Sequence, residues 1–234
     1  MGIFVPADVQ RIWFRRMDAE CLVQSDFAEL LPFAEGVQSI AGGSGSVIAP
    51  LLGTTDGHPG VWVYNTGAGS AGRVFAISRL NAFTFGNGKA TLFESWLQIP
   101  ILSTVAQRFT VRTGFFSIAL PNTIIQGIGF EYADQQNGGR WQAITDDGTE
   151  TSNDTGVVVV AGDWYKHSFI INADGDRVDF FIDDVFVATN TTNIPSGSGF
   201  GSFINMHIMK IIGTTTRQLF LDAYAVFQET GGRE

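Results

Sequence analysis

The chain has 234 residues, 44% hydrophobic and 16% charged, with 28 Gly and 20 Phe. That is a globular composition, not a disordered one, with enough chain for a sizeable core. Fourteen basic against 23 acidic residues give a net charge of -9, which argues against a nucleic-acid partner.

In chain order, the first twenty residues lack the basic start and uninterrupted apolar core of a secretory signal. No apolar run reaches the length that spans a bilayer, so membrane insertion is not expected. Residues 7–31 are the strongest helical candidate: Val9, Ile12, Trp13, Met17 and Cys21 fall at helical spacing, Asp8 can cap the start, and Pro32 can end it. This stretch carries the basic cluster Arg11, Arg15 and Arg16, interleaved with Trp13 and Phe14. Two readings stand side by side. The arginines are solvated on a helix packed against a sheet, or Arg11, Trp13, Arg15 and Arg16 form an assembly contact with a neighbouring subunit. The single cysteine, Cys21, excludes an intramolecular disulfide and reads as a small buried hydrophobe. Residues 1–35 are thus expected to form a helical or arm segment and 36–234 one β-sandwich domain.

Residues 36–60 are rich in loop signals, and strand-like runs follow at 61–65, 73–78, 91–99, 108–120, 123–133, 140–144, 156–161, 164–172, 177–182, 185–190, 203–213 and 218–228. Turn clusters separate nearly all of them, which predicts an antiparallel sandwich or barrel. "GAGSAG" at 67–72 matches a phosphate-binding glycine pattern, but the next run, "RVFAIS", reads as a strand and supplies no helix N-terminus. It is read as a flexible hairpin loop. In "QLFLDAYAVF", alternation puts Leu219, Leu221, Ala223, Ala225 and Phe227 on one face.

The stretch "ADGDRVDFFIDDVFVA" (173–188) gathers five aspartates. As a calcium loop it fails: Asp179 stands where the pattern needs glycine, and Val185 where it needs glutamate. Two turns around a strand explain it better, although Asp-Asp is a poor choice for a tight two-residue connection. No metal site is assigned.

"GDWYKHSFIINADGDRVDFFIDDVFVATN", with the closing strand "LFLDAYAVF", resembles the back half of a concanavalin A-like lectin/glucanase jelly roll. There a G-x-W strand, a turn, an I-D-G-like hairpin and a last strand of the form I-D-Y-x-x-V follow in this order. The resemblance covers roughly residues 90–228. It implies an all-β fold, a two-sheet antiparallel jelly-roll sandwich with a short N-terminal helical segment, and by itself no activity.

The related glucanases carry E-x-D-x-x-E on one strand. Here only Glu94 in "FESWLQI" and Glu131 with Asp134 in "GFEYADQQ" approach it, and neither holds the pattern. A glycosidase would need Glu94 and Glu131 to meet across strands. Of the groups that related lyases use, Gln98 and His167 are the nearest candidates. The three histidines are scattered, with no zinc spacing. For binding, Tyr132, Arg140 and Trp141 flank a glycine-rich turn. Trp141 either stacks on a sugar or a protein partner, or starts a strand and is buried. No catalytic residue and no cofactor is assigned.

The expectation is a non-enzymatic structural or attachment protein of a tailed-phage virion, such as a capsid decoration or fibre component. It would be made in a host cytoplasm and would work as a homo-oligomer among other particle subunits. A lectin recognising a cell-surface glycan is the alternative, and a polysaccharide hydrolase or lyase the third reading.

Overall fold

A computed structural model describes residues 19–25, 37–50, 58, 60–78, 84–119, 123–133, 137–195 and 204–229. Among these residues fifteen strands run in order: β1 (Ala19–Ser25), β2 (Val37–Gly42), β3 (Val47–Pro50), β4 (Trp62–Asn65), β5 (Arg73–Ser78), β6 (Thr91–Gln98), β7 (Phe109–Ala119), β8 (Thr123–Ala133), β9 (Arg140–Asp146), β10 (Glu150–Val158), β11 (Trp164–Ile171), β12 (Val178–Ile182), β13 (Val185–Asn190), β14 (Ile204–Lys210) and β15 (Gln218–Glu229). They form two antiparallel sheets. One has the order β13-β12-β11-β6-β15-β4-β3, with β1 added to β15; the other has the order β10-β9-β8-β7-β14-β5-β2. The fold is the two-sheet jelly-roll sandwich that the resemblance implies.

The core lies between the sheets, because each strand turns alternate residues inward. β12 does this plainly: Val178, Phe180 and Ile182 are buried while Asp179 and Phe181 are half-exposed. An aromatic cluster fills the centre, where Phe169 stacks on Phe93 at 5.0 Å and meets Phe115 edge-on at 5.7 Å. At one margin the sheets are laced together by Asn153 Nδ2 donating to Asn190 Oδ1 (2.7 Å) and by a Thr151–Thr192 hydroxyl pair (3.0 Å).

Three expectations need correction. Residues 19–25, inside the expected helix, are strand β1. β4 pairs with β15 only at residues 218–221, so the edge of 224–229 is left for β1 to cover. Those backbone groups need partners, and this tertiary demand overrides a spacing that also fits a helix. The Arg11, Trp13, Arg15 and Arg16 cluster lies outside the described residues. In β15 the register shifts between Leu221 and Ala223. This bulge passes the inward role from Leu221 to Tyr224 and Val226, which are buried in the core, while Ala223 and Phe227 are only half-buried. Residues 66–72 join β4 to β5, which lie in different sheets, so the glycine stretch is a crossover and not a hairpin.

The connections β2–β3, β4–β5, β6–β7, β8–β9, β10–β11, β12–β13 and β14–β15 all gather at one end of the sandwich. This follows from the antiparallel order of both sheets.

Candidate functional site

Each sheet turns its second face outward, and among the described residues each outer face holds a cation between two carboxylates: partly buried Arg112 on one and buried Lys166 on the other. On the seven-stranded sheet, cross-strand pairing aligns Gln142, Glu131, Arg112, His207 and Phe75 along a single rung. Their strand neighbours Phe130, Tyr132, Val111 and Ile208 belong to the core, so this rung points away from it. Arg112 Nε donates to Glu131 Oε2, and its Nη2 donates to Glu150 Oε2 at 3.1 Å. The Arg112 guanidinium also lies over the Phe116 ring, 5.7 Å from its centroid. Phe116 lies flat because β8 offers Gly127 and Gly129 beneath it; a Cβ at Gly127 would overlap Cδ1 of that ring.

The chemistry of this face is constrained. Glu131 is 2% exposed and His207 1% exposed. Burial, with the Arg112 charge beside it, holds the His207 imidazole down at about 3. It is therefore neutral and pairs through Nδ1 with Asn205 Oδ1 at 3.1 Å. Burial lifts Glu150 above the usual carboxylate range, Arg112 opposes that shift, and Glu131 reinforces it. Both glutamates are thus held by one guanidinium.

On the eight-stranded sheet, Lys166 Nζ contacts Glu94 Oε1 at 2.9 Å and Asp184 Oδ1 at 2.7 Å, and lies 5.1 Å from the Trp96 ring centroid. Burial lifts Glu94. Burial works to lower Lys166, but Glu94 and Asp184 outweigh it and the net shift is upward. Lys166 therefore stays an ammonium, and Glu94 is the member of the pair that titrates. Further along this face, the bulge of β15 aims Asp222 at His58 (2.6 Å to Nδ1), and His58 stacks on Trp164 at 3.9 Å. Trp164 is half-buried beneath His58.

The structure separates most of the residues singled out from the sequence. Phe93 and Leu97 face the core from β6, and Phe130 and Tyr132 face it from β8, so Glu94 and Glu131 leave opposite sides of the sandwich. With sheets packed about 10 Å apart, they cannot act as an acid–base pair. His167 is in the core, 0% exposed, paired through Nδ1 with Thr113 Oγ1 at 3.1 Å, and desolvation holds it down at about 3. Gln98 is on the outer face and donates to Gly162 O at 2.5 Å. Trp141 and Tyr132 are 0% and 1% exposed and meet edge-on at 5.9 Å in the core. No ring face is open for stacking, so of the two readings of Trp141 the buried one holds. Arg140 alone of that trio is exposed, paired with Asp154 at 3.0 Å.

The acidic stretch 173–188 is a pair of turns. Asp183 and Asp184 both take positive φ, 52° and 64°, forming the two-residue connection that Asp-Asp suits poorly. Lys166 explains the choice: its N–H donates to Asp183 Oδ1 at 2.8 Å and its ammonium binds Asp184. Among the described residues, no three His, Cys, Asp or Glu side chains converge to hold a metal.

The two-sheet jelly roll is a fold that this chain shares with solved structures of a glucanase and of a carbohydrate recognition domain. The family described as SO2946-like, C-terminal domain, matches residues 57–222, and the chain belongs to it. None of the curated proteins matches the chain. Among solved structures, the protein of unknown function SO2946 from Shewanella oneidensis MR-1 is 13% identical, with a TM-score of 0.62 over 100% of this chain and 99% of that one. The carbohydrate esterase vb_24B_21 from the Shiga toxin-encoding bacteriophage phi24B is 13% identical, with a TM-score of 0.56 over 91% of this chain and 100% of that one. An endo-1,3-beta-glucanase from Streptomyces sioyaensis is 11% identical, with a TM-score of 0.57 over 99% and 100%. At such identities the likeness is one of fold.

Proposed function

We propose that the chain is a non-enzymatic structural or attachment subunit of a tailed-phage particle, made in the host cytoplasm and working as a homo-oligomer. The observation that carries the non-enzymatic part is the locking of Glu131 and Glu150 onto Arg112, with Glu94 on the far side of the sandwich. A glycosidase needs one carboxyl free to give a proton and a second within reach of the sugar. Glu131 on this rung and Glu150 on β10 instead pair with one guanidinium, and the histidine beside it stays neutral. The link to a phage is the likeness of fold to a bacteriophage's carbohydrate esterase over the whole of that solved chain. Probing gradient-purified particles with an antibody to this chain tests it. Co-purification at a fixed copy number is expected; absence from intact particles rejects the reading.

Carbohydrate binding is the second reading. It is favoured by the likeness of fold to a carbohydrate esterase and an endo-1,3-beta-glucanase. It predicts glycan-panel binding that weakens in Arg112→Lys, which keeps the charge but loses the planar fork.

A further inference from the structure

Four cations crowd the end of the sandwich where the connections gather, and among the described residues none of them meets a carboxylate. Arg112, Arg140, Lys166 and Arg177 each pair with an acid. Arg73, Lys89, Arg108, Lys210 and Arg217 do not. Lys89 lies at the far end, before β6. The other four share one end: Arg73 opens β5, Lys210 closes β14, and Arg108 and Arg217 immediately precede β7 and β15. β7, β14 and β5 are neighbours in one sheet, and β15 belongs to the other.

The crossover at 66–72 ties Lys210 to Arg217. Thr66 N donates to Arg217 O and Arg217 N to Thr66 Oγ1, each at 3.0 Å. Lys210 Nζ donates to Gly67 O (2.6 Å) and Gly69 O (2.9 Å). Alternation turns Lys210 inward with Met206 and Ile208, and Arg217 inward with Leu219 and Leu221, so the two cations close the core at its open end. They are 5% and 7% exposed. Burial, and then the Arg217 charge, hold the Lys210 ammonium below its usual value. Arg217 Nη1 finds Thr216 O at 3.2 Å, but the buried Nε atoms of Arg217, Arg73 and Arg108 have no hydrogen-bond partner.

We propose that Lys210 and Arg217 hold a phosphate or sulfate group at this end, with Arg73 and Arg108 raising the positive potential around it. A buried guanidinium without a carboxylate is costly to fold around, and a second cation beside it adds repulsion. Buried donors left without partners need an acceptor from outside the chain. An oxyanion supplies the charge and the acceptors together, and a planar fork beside an ammonium is a donor set that phosphate and sulfate take. The two donors come from different sheets, which suits a tetrahedral anion over a flat carboxylate. The net charge of -9 repels long polyanions, so the group is a free ion or is borne by a small ligand. The inference depends on neither functional reading above.

Calorimetric titration of the purified chain with inorganic phosphate and with sulfate tests it. One saturable site is expected, with a dissociation constant of about 1 mM or tighter. Arg217→Gln, and Lys210→Gln, which keeps a donor for Gly67 O, are each expected to weaken binding at least about tenfold. Melting curves in chloride show that the variants fold, and the wild-type titration decides alone if they do not. Arg177→Gln, which opens the far-end ion pair with Asp179, should bind as the wild type does. Glycerol phosphate separates the two sources: binding tighter than that of inorganic phosphate marks a ligand-borne group, and weaker binding marks a free ion. No saturable heat with either anion up to about 10 mM overturns the proposal. So does binding that survives both Arg217→Gln and Lys210→Gln. A rise in melting temperature with sulfate that sodium chloride reproduces at equal ionic strength also overturns it, because that is screening alone.

Discussion

The two outer faces of the sandwich solve the same electrostatic problem with different cations. Both bury a carboxylate, Glu94 at 3% and Glu131 at 2% exposure, and both bring a second acid to one positive side chain. On the eight-stranded sheet the cation is an ammonium on a flexible stem, and its second partner, Asp184, is 48% exposed. On the seven-stranded sheet it is a planar guanidinium that spans two strands and covers Phe116. The lysine centre fixes a turn; the arginine centre fixes the floor of a face. An ion pair on this fold therefore marks structure as readily as chemistry, and what its members can still do distinguishes the two.

Removing the cations should break the comparison most sharply. Lys166→Met leaves Glu94 buried without a partner and is expected to cost about 3–5 kcal/mol in urea unfolding. Arg112→Ala strands Glu131 likewise, but the half-exposed Glu150 can turn to water, so a smaller loss of about 2–3 kcal/mol is expected. Gly127→Ala drives a methyl group into the Phe116 ring and should cost about 1–3 kcal/mol, while disturbing the Arg112 site alone. Asp184→Asn should change stability by under about 1 kcal/mol. It removes a half-exposed charge, and asparagine tolerates the positive φ of that turn.

Acid should act through the buried histidines. His167 and His207 sit at about 3 in the fold and near 6.5 when unfolded. Between those values the unfolded chain binds more protons, so stability falls as pH drops from about 6.5 towards 3. Glu94 and Glu150 work the other way. Their folded values lie above 4.5, so their penalty is present at neutral pH and is relieved on acidification towards 4.5. Denaturation midpoints across this range should flatten in His207→Gln if the assignment is right.

Much of the fold was legible in the sequence. β5, β8 and β13 coincide with the apolar runs at 73–78, 123–133 and 185–190, because Gly, Asn and Asp turns bound them on both sides. What local pattern could not show was tertiary. β1 carries a spacing that suits helix or strand, and only the uncovered edge of β15 decides between them. The bulge at Asp222 reverses every inward residue after it, and nothing in "LFLDAY" signals that. The site was less legible than the fold. Glu131 stood out as a carboxylate, but its partner Arg112 lies 19 residues earlier and Glu150 on another strand, and only sheet order brings them together. Trp141, beside a glycine turn, fitted an exposed and a buried reading equally. One residue into β9, alternation turns it inward.

The proposed structural role requires the Arg112 face to be a locked scaffold without catalytic turnover. The most direct measurement is incubation of the purified chain with a broad panel of polysaccharides, with products read by mass spectrometry. No cleavage of any member is predicted, with or without binding. Chain cleavage by the wild type that disappears in Glu131→Gln or Glu150→Gln would contradict it, and would make those two glutamates the acid and base of an enzyme.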